Sequence, residues 1–168
     1  LIDSGQLGNV VHVEIHLSID LNTPEVREAL SLPWRYNLPG GILHDNITHP
    51  LYMALRWLGD PKRVTVTPKS LGVLPRSVTD HMVIMLEGKY CTANIVLSGA
   101  IKPERYNVQM FCERGSICLN FDTSTVIVKK TSSLPNFLRR ASANFQQSYQ
   151  LSTIGIGNLI KFLRGRLV

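Results

Sequence analysis

The sequence has no long apolar run, few cysteines and no cysteine motif. No stretch approaches the roughly 18 to 20 apolar residues that a membrane-spanning helix needs. The three cysteines show no C-x-x-C spacing and leave an odd one over, which argues against a zinc site and against the disulfide framework of a secreted domain. We therefore expect a cytoplasmic protein with no metal and no membrane partner.

Acidic residues are also scarce. Twelve Asp and Glu stand against 18 Lys and Arg, so the formal net charge is +6. Part of the excess lies towards the C-terminus, at Lys129, Lys130, Arg139, Arg140, Lys161, Arg164 and Arg166. No interleaved aromatic residues and no recognition-helix pattern accompany these cations. We interpret them as a solvated basic face and expect no nucleic-acid partner.

A glycine-rich turn of the kind that binds dinucleotide phosphates is missing as well. Gly155-Ile156-Gly157 comes nearest, but it lacks a third glycine and a preceding strand. We interpret it as a flexible break in a helical pattern that follows Ser133, with Ser133 as N-cap and Pro135 in the first turn. That helix could return to cover the sheet. Because the chain starts at Leu1, we expect a fragment of a longer protein.

The residues that are present have a globular composition. With 44% hydrophobic residues and a mean hydropathy of +0.05, a chain of 168 residues suffices for one domain with a sizeable core. Residues 9–20 alternate, which predicts a half-buried strand. Its apolar side carries Val11, Val13, Ile15, Leu17 and Ile19, and its polar side His12, Glu14, His16, Ser18 and Asp20. We interpret His12 and His16 as exposed strand histidines, since no third ligand is spaced to complete a metal site.

The middle of the chain predicts consecutive hairpins. Residues 80–86 and 90–97 flank one turn, and residues 106–112 and 116–121 flank another. Residues 63–67 and 125–129 add two short strands. The expected fold class is α+β: a largely antiparallel, meandering open sheet with helices packed on one face, the other face being available for dimerisation.

The densest chemistry lies in residues 39–59, PGGILHDNITHPLYMALRWLG. If the backbone is helical there, Asp45 and His49 emerge on one side, four residues apart. A carboxylate beside an imidazole fixes its tautomer and stabilises the imidazolium, which suits proton transfer near neutral pH. Pro50 leaves two geometries open: a continuous helix kinked at the proline, or a helix that begins with Thr48 as its N-cap, in which case Asp45 precedes it.

The order Gly-Gly, Asp-x-x-x-His and an apolar helix ending Trp-Leu-Gly-Asp-Pro resembles the C-terminal domain of the glucose–fructose oxidoreductase/inositol dehydrogenase/MocA family. The opening Ser4-Gly5-Gln6-Leu7-Gly8-Asn9 is similar to the family's entry into that domain. The resemblance implies an oxidoreductase that uses NAD or NADP, bound mainly by another domain, and acts on a sugar, cyclitol or related polyol. It also implies a homo-oligomer formed through the sheet face, and inactivity of this chain by itself.

Carried over by position, the resemblance implies roles for particular residues. His49 would accept the substrate's hydroxyl proton and Asp45 would orient it. The residues before the Gly pair would border the substrate, which makes Trp34, Arg35, Tyr36 and Asn37 candidate substrate-binding residues, although Trp34 and Tyr36 could equally anchor the loop to the core. The family's Glu-Lys-Pro motif has only Lys102-Pro103 as a partial counterpart.

Two other functions compete with the dehydrogenase. In a metal-dependent hydrolase, His44, Asp45 and His49 would bind a divalent ion, but such positions rarely converge from one helix. In a non-catalytic module, the fold would serve dimerisation or partner binding after catalysis had lapsed.

Overall fold

The computed structural model describes residues 2, 5–21, 23, 24, 26, 28, 34, 38, 42–74 and 78–166. In chain order its elements are β1 (Val10–Ser18), α1 (Ile42–Asn46), α2 (Thr48–Leu58), β2 (Arg63–Lys69), β3 (His81–Glu87), β4 (Thr92–Ser98), β5 (Arg105–Cys112), β6 (Gly115–Asn120), β7 (Thr125–Lys130) and α3 (Asn136–Arg166). Within these residues, seven strands form one open sheet in the order β2-β3-β4-β1-β5-β6-β7. The α+β class is confirmed.

The two predicted hairpins are confirmed. β3 pairs antiparallel with β4, from His81 opposite Ser98 to Glu87 opposite Thr92, and β5 pairs antiparallel with β6. β2 and β7 extend the sheet at its two edges, also antiparallel. In these ladders, strands that are neighbours in sequence pair directly, through short connections except for the longer one between β2 and β3.

The first strand departs from this meander. β1 lies between β4 and β5, parallel to β4 and antiparallel to β5. A register irregularity between Val10 and His12 interrupts its pairing with β5. Because a bulge switches which side chains face the core, Val10 is buried and Val11 is 48% exposed. The predicted burial of Val11 is therefore wrong, and that of Val13 and Ile15 is right.

The core lies on one face of the sheet, where alternate residues of the central strands point towards α2. Val13 of β1 stands opposite Ala93 of β4 and Met110 of β5, and all three are buried. Ala54 and Leu58 of α2 join the same cluster, with α2 packed over β1 and β4. A single layer of helix therefore covers the apolar side chains that alternate along the central strands.

A buried carboxylate organises the turn between β2 and β3. Asp80 is fully buried, and its side chain accepts N–H bonds from Leu71 at 2.6 Å and Val73 at 2.7 Å, with Leu74 at 3.4 Å. Several backbone donors can hold a buried carboxylate without a cationic partner. Asp80 therefore has a structural role, which the strand pattern did not predict.

The C-terminal helix differs from the sequence prediction at both its start and its middle. α3 begins at Asn136, where the Pro135 carbonyl accepts the Arg139 N–H, so Ser133 and Pro135 both precede it. The helix is continuous through Gly155 and Gly157, and the predicted break is wrong. It packs along the edge strand β7 and does not cover the apolar face of the sheet. Two glycines weaken a helix without ending it when the flanking residues continue the pattern.

Candidate functional site

The site is built on α1 and α2, which are nearly one helix. Ile47 between them keeps helical dihedral angles, φ −68° and ψ −25°. Its N–H donates to the Leu43 carbonyl and its carbonyl accepts from the Leu51 N–H, each at 3.0 Å. Pro50 has no N–H to donate to the turn before it, which explains an interruption at this point. Of the two geometries left open, the structure has the nearly continuous helix, and Thr48 is its first residue after the interruption rather than a cap.

This geometry places Asp45 and His49 one helical turn apart. Both side chains are exposed, whereas Pro50, Ala54 and Leu58 on the other side of α2 are buried. Residues four apart in a helix are neighbours on its surface. The predicted pair is therefore presented to solvent at the start of α2, on an element that is held by the core.

The exposed side of α2 continues with two residues that the sequence analysis did not single out. Tyr52 is 76% exposed and follows His49 by three positions. Arg56 is exposed one turn further on, with its guanidinium 5.3 Å from the centroid of the Trp57 ring. The i, i+4, i+7, i+11 spacing of Asp45, His49, Tyr52 and Arg56 was the available signal. Together they form a polar stripe that can donate and accept hydrogen bonds.

The other predicted site residues have different outcomes. Trp34 is 50% exposed. Arg35, Tyr36 and Asn37 lie outside the described residues. His44, which precedes Asp45, is exposed. The structure thus brings Asp45 and His49 onto one helical segment and leaves the substrate-binding loop as a prediction.

Lys102, the partial counterpart of the lysine in the family's Glu-Lys-Pro motif, forms an ion pair with Asp20. Its Nζ lies 2.8 Å from Asp20 Oδ2, and the Asp20 N–H donates to Glu104 Oε1 at 2.6 Å. The Ser18 hydroxyl donates to the Pro103 carbonyl at 3.3 Å. Lys102 therefore ties the turn before β5 to the end of β1.

The described residues do not fit the phosphates of a dinucleotide. The glycines with positive φ in this part of the chain are Gly5, Gly8, Gly59 and Gly72. Gly59 ends α2, and the others lie before β1 or between β2 and β3. A phosphate cradle requires a glycine turn that leads from a strand into a helix N-terminus, and no described glycine occupies such a turn.

The face of the sheet opposite α2 is polar. His12 Nδ1 lies 2.6 Å from Thr92 Oγ1, and His81 Nδ1 lies 3.1 Å from Ser98 Oγ. His12 and His16 are half-buried, not exposed as predicted. Among the described residues, no group of three His, Cys, Asp or Glu side chains converges as a metal site. The three cysteines are free.

A depression of about 330 Å³ lies in this polar face, lined by Glu14, His16, Asn94, Arg105, Asn107 and Gln109 among others. Burial, then the charge of Arg105, lowers the pKa of His16 below 6.5. His16 Nε2 and Asn107 Oδ1 are buried without a hydrogen-bond partner in the described part of the chain. Unsatisfied buried polar atoms are costly to stability.

Comparison with known protein families decides the family. The profile of the GFO/IDH/MocA C-terminal domain matches residues 1–118. The chain belongs to this family. The match confirms the resemblance seen in the sequence and includes both Asp45 and His49. It ends within β6, so β7 and α3 of this GFO/IDH/MocA C-terminal domain lie outside the matched region.

Solved structures agree with this family at the level of the fold. The WlbA dehydrogenase from Bordetella pertussis, in complex with NADH and UDP-GlcNAcA, has a TM-score of 0.63 and 16% identity over 98% of this chain and 49% of its own. An inositol dehydrogenase homologue from Azotobacter vinelandii, with NADH and myo-inositol, has a TM-score of 0.63 and 19% identity over 80% of this chain and 36% of its own.

A levoglucosan dehydrogenase in complex with NADH and levoglucosan is similar to the same extent, with a TM-score of 0.64 and 18% identity over 80% of this chain and 39% of its own. The GFO/IDH/MocA domain described here thus spans less than half the length of each of these three proteins. Comparison of the sequence with curated proteins gave no match. Among the described residues, no helix is both long and apolar enough to cross a membrane.

Proposed function

We propose that this chain is the substrate-binding, acid/base and dimerisation domain of an NAD(P)-dependent oxidoreductase that acts on a sugar, cyclitol or related polyol. The exposed Asp45 and His49, one turn apart on a core-anchored helix inside the family match, carry this proposal. Dehydrogenases of the same fold bind NADH with myo-inositol or levoglucosan, which supports the cofactor and substrate classes. The expected compartment is the cytoplasm, where free cysteines stay reduced.

The chain's own part in the reaction is a proton transfer. The His49 imidazole accepts the proton of the substrate hydroxyl as that carbon is oxidised, and returns it in the reverse direction. The Asp45 carboxylate stabilises the imidazolium and holds the ring in one tautomer. The hydride exchange belongs to the nicotinamide, which residues outside this chain would hold. We therefore expect no turnover from this chain alone.

The substrate would lie along the polar stripe of α2. The Tyr52 hydroxyl and the Arg56 guanidinium supply donors beyond His49, as the hydroxyl groups of a polyol require. The loop with Trp34, Arg35, Tyr36 and Asn37 would border it from the chain segment before α1. An aromatic face against the ring and polar groups at its edge are a common arrangement for binding sugars.

His49→Ala in the full enzyme tests the acid/base role. Turnover is expected to fall by at least about a hundredfold, in line with general-base contributions. The melting temperature should not change, because an exposed side chain contributes little to stability. The matched control is His44→Ala, which removes an exposed imidazole beside Asp45 and should leave turnover within about twofold. Near-normal turnover of His49→Ala would remove His49 from the role.

A second candidate is the non-catalytic module of the same fold, which would use the polar face of the sheet for dimerisation. The depression in this face, with the charged Glu14 and Arg105 in its lining, would lie at that interface. The dehydrogenase also uses such a dimer under our proposal. Only activity separates the two: a full-length protein that dimerises through this face but oxidises no polyol would be the module.

Arg105→Glu tests the dimer face. Arg105 is exposed at the margin of the depression, and reversing its charge places a second carboxylate near Glu14. In a symmetric dimer through this face each copy meets an identical face, so the added carboxylates of both copies lie at one interface. Like-charge repulsion there costs several kcal/mol, so the dimer should dissociate at micromolar concentration. Sedimentation equilibrium would measure this, with Arg56→Glu on the α2 side as the control that leaves the mass unchanged. A monomeric wild-type protein would contradict the oligomer.

A further inference from the structure

α3 is amphipathic in an unusual orientation, with its polar side against the protein. The Gln150 side chain donates to the Val128 carbonyl at 2.9 Å and accepts from the Val128 N–H at 2.8 Å. Asn158 Nδ2 donates to the Thr123 carbonyl at 3.2 Å. The amides thus bond the free edge of β7 and its preceding turn, where another strand would otherwise pair.

The opposite side of α3 is apolar and exposed. Phe145 is 78% exposed, Tyr149 71%, Ile156 59% and Leu163 51%. These four recur at intervals of four and seven, which keeps them on one side of the helix. We call them, with Leu138, the outer stripe. At about 1.5 Å per residue, the 31 residues of α3 make a helix about 46 Å long. An exposed apolar surface of this extent is typical of an interaction site.

The charge of α3 indicates what covers the outer stripe. The helix contains no Asp or Glu, and its cations are Arg139, Arg140, Lys161, Arg164 and Arg166. By helical spacing, Arg139 and Arg164 lie beside the outer stripe, where long side chains can extend from an apolar surface to a charged one. A second copy of α3 would bring like charges together, in either orientation of the two helices. An anionic surface with an apolar interior complements both features.

We propose that α3 docks this domain on an anionic lipid surface, with the outer stripe at the level of the acyl chains and Arg139 and Arg164 among the headgroups. A helix with aromatic and aliphatic residues on one side, cations and no acids elsewhere, and too little hydrophobicity to span is typical of such interfacial binding. The cytoplasmic leaflet supplies the anionic lipids. The sequence predicted no membrane partner, since it showed no span. The orientation of the amphipathic sides, which only the structure reveals, is what changes that expectation.

The docking is independent of the proposed dehydrogenase activity. The residues that carry it lie beyond the region matched to the family, and none belongs to the polar stripe of α2. Docking would hold the protein beside its substrate if that substrate were itself at the membrane surface. It requires no change in the Asp45 and His49 site.

Vesicle flotation of the full chain tests the proposal. Vesicles of phosphatidylcholine with about a third phosphatidylglycerol should carry the protein at low salt, and pure phosphatidylcholine vesicles should bind it at least tenfold more weakly. Arg139→Gln with Arg164→Gln should weaken binding roughly thirtyfold, since each cation near an anionic surface contributes about a factor of five. The control is Lys62→Gln with Lys89→Gln, which gives the same net charge and removes exposed cations outside α3. It should bind within about twofold of wild type.

The contribution of apolar side chains to vesicle binding is tested by a second variant with its matched control. Phe145→Ser should weaken binding about tenfold or more, from the lost burial of one aromatic side chain. Tyr90→Ser removes an equally exposed aromatic, 79% against 78%, from the turn between β3 and β4 and should change nothing. Three results would overturn the proposal: no binding to anionic vesicles, binding that responds to charge but not to Phe145→Ser, or a dimer in solution that Phe145→Ser dissociates. The last would show that a second copy covers the outer stripe.

Discussion

Helices α2 and α3 attach to the same sheet with opposite sides. α2 buries Pro50, Ala54 and Leu58 over the central strands and presents its polar side to solvent. α3 bonds the edge strand through the amide of Gln150 and presents its apolar side. Burial of apolar area is the larger stabilising term, so α2 is part of the core and α3 is held mainly by hydrogen bonds.

This difference determines which type of side chain each helix exposes to a partner. A helix that buries its apolar side in the core exposes polar groups, as α2 exposes Asp45 and His49. A helix whose polar side hydrogen-bonds a sheet edge exposes apolar groups, as α3 exposes Phe145 and Ile156. The exposed side of each helix therefore indicates the kind of partner: a small polar substrate for α2 and an apolar, anionic surface for α3.

The sharpest test of this contrast is the same truncation on both helices. Leu58 is 7% exposed on α2, and Leu159 is 57% exposed on α3. Leu58→Ala should lower the free energy of unfolding by about 3 kcal/mol, because it leaves a cavity in the core. Leu159→Ala should change it by less than about 0.5 kcal/mol. Urea unfolding in the absence of lipid would measure both. Equal losses would mean that α3 also contributes its apolar side to the core.

A smaller effect is expected from the amide that holds α3. Gln150→Ala removes both hydrogen bonds to Val128 and should cost about 1 to 2 kcal/mol. Amide hydrogen exchange at Val128 should become faster, because its N–H loses its acceptor. Gln146→Ala is the control, one turn earlier on the same helix and exposed. Unchanged exchange at Val128 would show that α3 is held by other contacts.

The continuity of α3 predicts a gain in stability. Gly155 has nothing within 4 Å of an added Cβ, so Gly155→Ala should stabilise the helix by about 0.5 to 1 kcal/mol and raise the circular dichroism at 222 nm. Gly115→Ala is the opposite case, because its Cβ would meet the Lys129 carbonyl, and it should destabilise the protein. A loss of helicity in Gly155→Ala would support a break at this glycine.

The smallest expected effect concerns pH and the sheet face that α2 does not cover. Burial, followed by the charges of Arg105 and His81, lowers the pKa of His16 below 6.5, against an opposing effect of Glu14. The unfolded chain therefore binds this proton first as the pH falls, so the free energy of unfolding should decrease below about pH 6.5 and level off below the folded pKa. His16→Gln should flatten this part of a urea-unfolding pH profile. An unchanged profile would contradict the shift.

Local patterns predicted the elements of this fold well. The alternation in β1, the glycine turns of the two hairpins and the apolar side of α2 each follow from a few neighbouring residues. The Asp45 and His49 spacing likewise indicated the candidate site from neighbouring residues alone. What remained open at Pro50 was settled by Ile47, whose helical dihedral angles no sequence pattern determines.

The misses have two sources: pairings between distant residues, and local backbone details that periodicity does not encode. The position of β1 between β4 and β5 depends on pairings such as Ile15 with Ile95 and with Val108, far apart in sequence. The burial of Asp80 depends on the irregular backbone before β3, which directs the N–H groups of Leu71 and Val73 onto the carboxylate. The outward apolar side of α3 depends on which side the β7 edge can bond, and periodicity alone gives an amphipathic helix without its orientation.

The central place of β1 has a consequence for how the protein is made. β1 precedes the other strands in the chain, yet its two neighbours are completed more than seventy residues later, as the pairings of Val13 with Ala93 and Met110 show. β1 leaves the ribosome before the other six strands and cannot pair until β4 and β5 have been synthesised. The hairpins β3–β4 and β5–β6, in contrast, can form from residues that are close in sequence. Closing the sheet is then the slow, long-range step. Until that step, the apolar side chains of β1 remain exposed, and the nascent chain is at its most prone to aggregation.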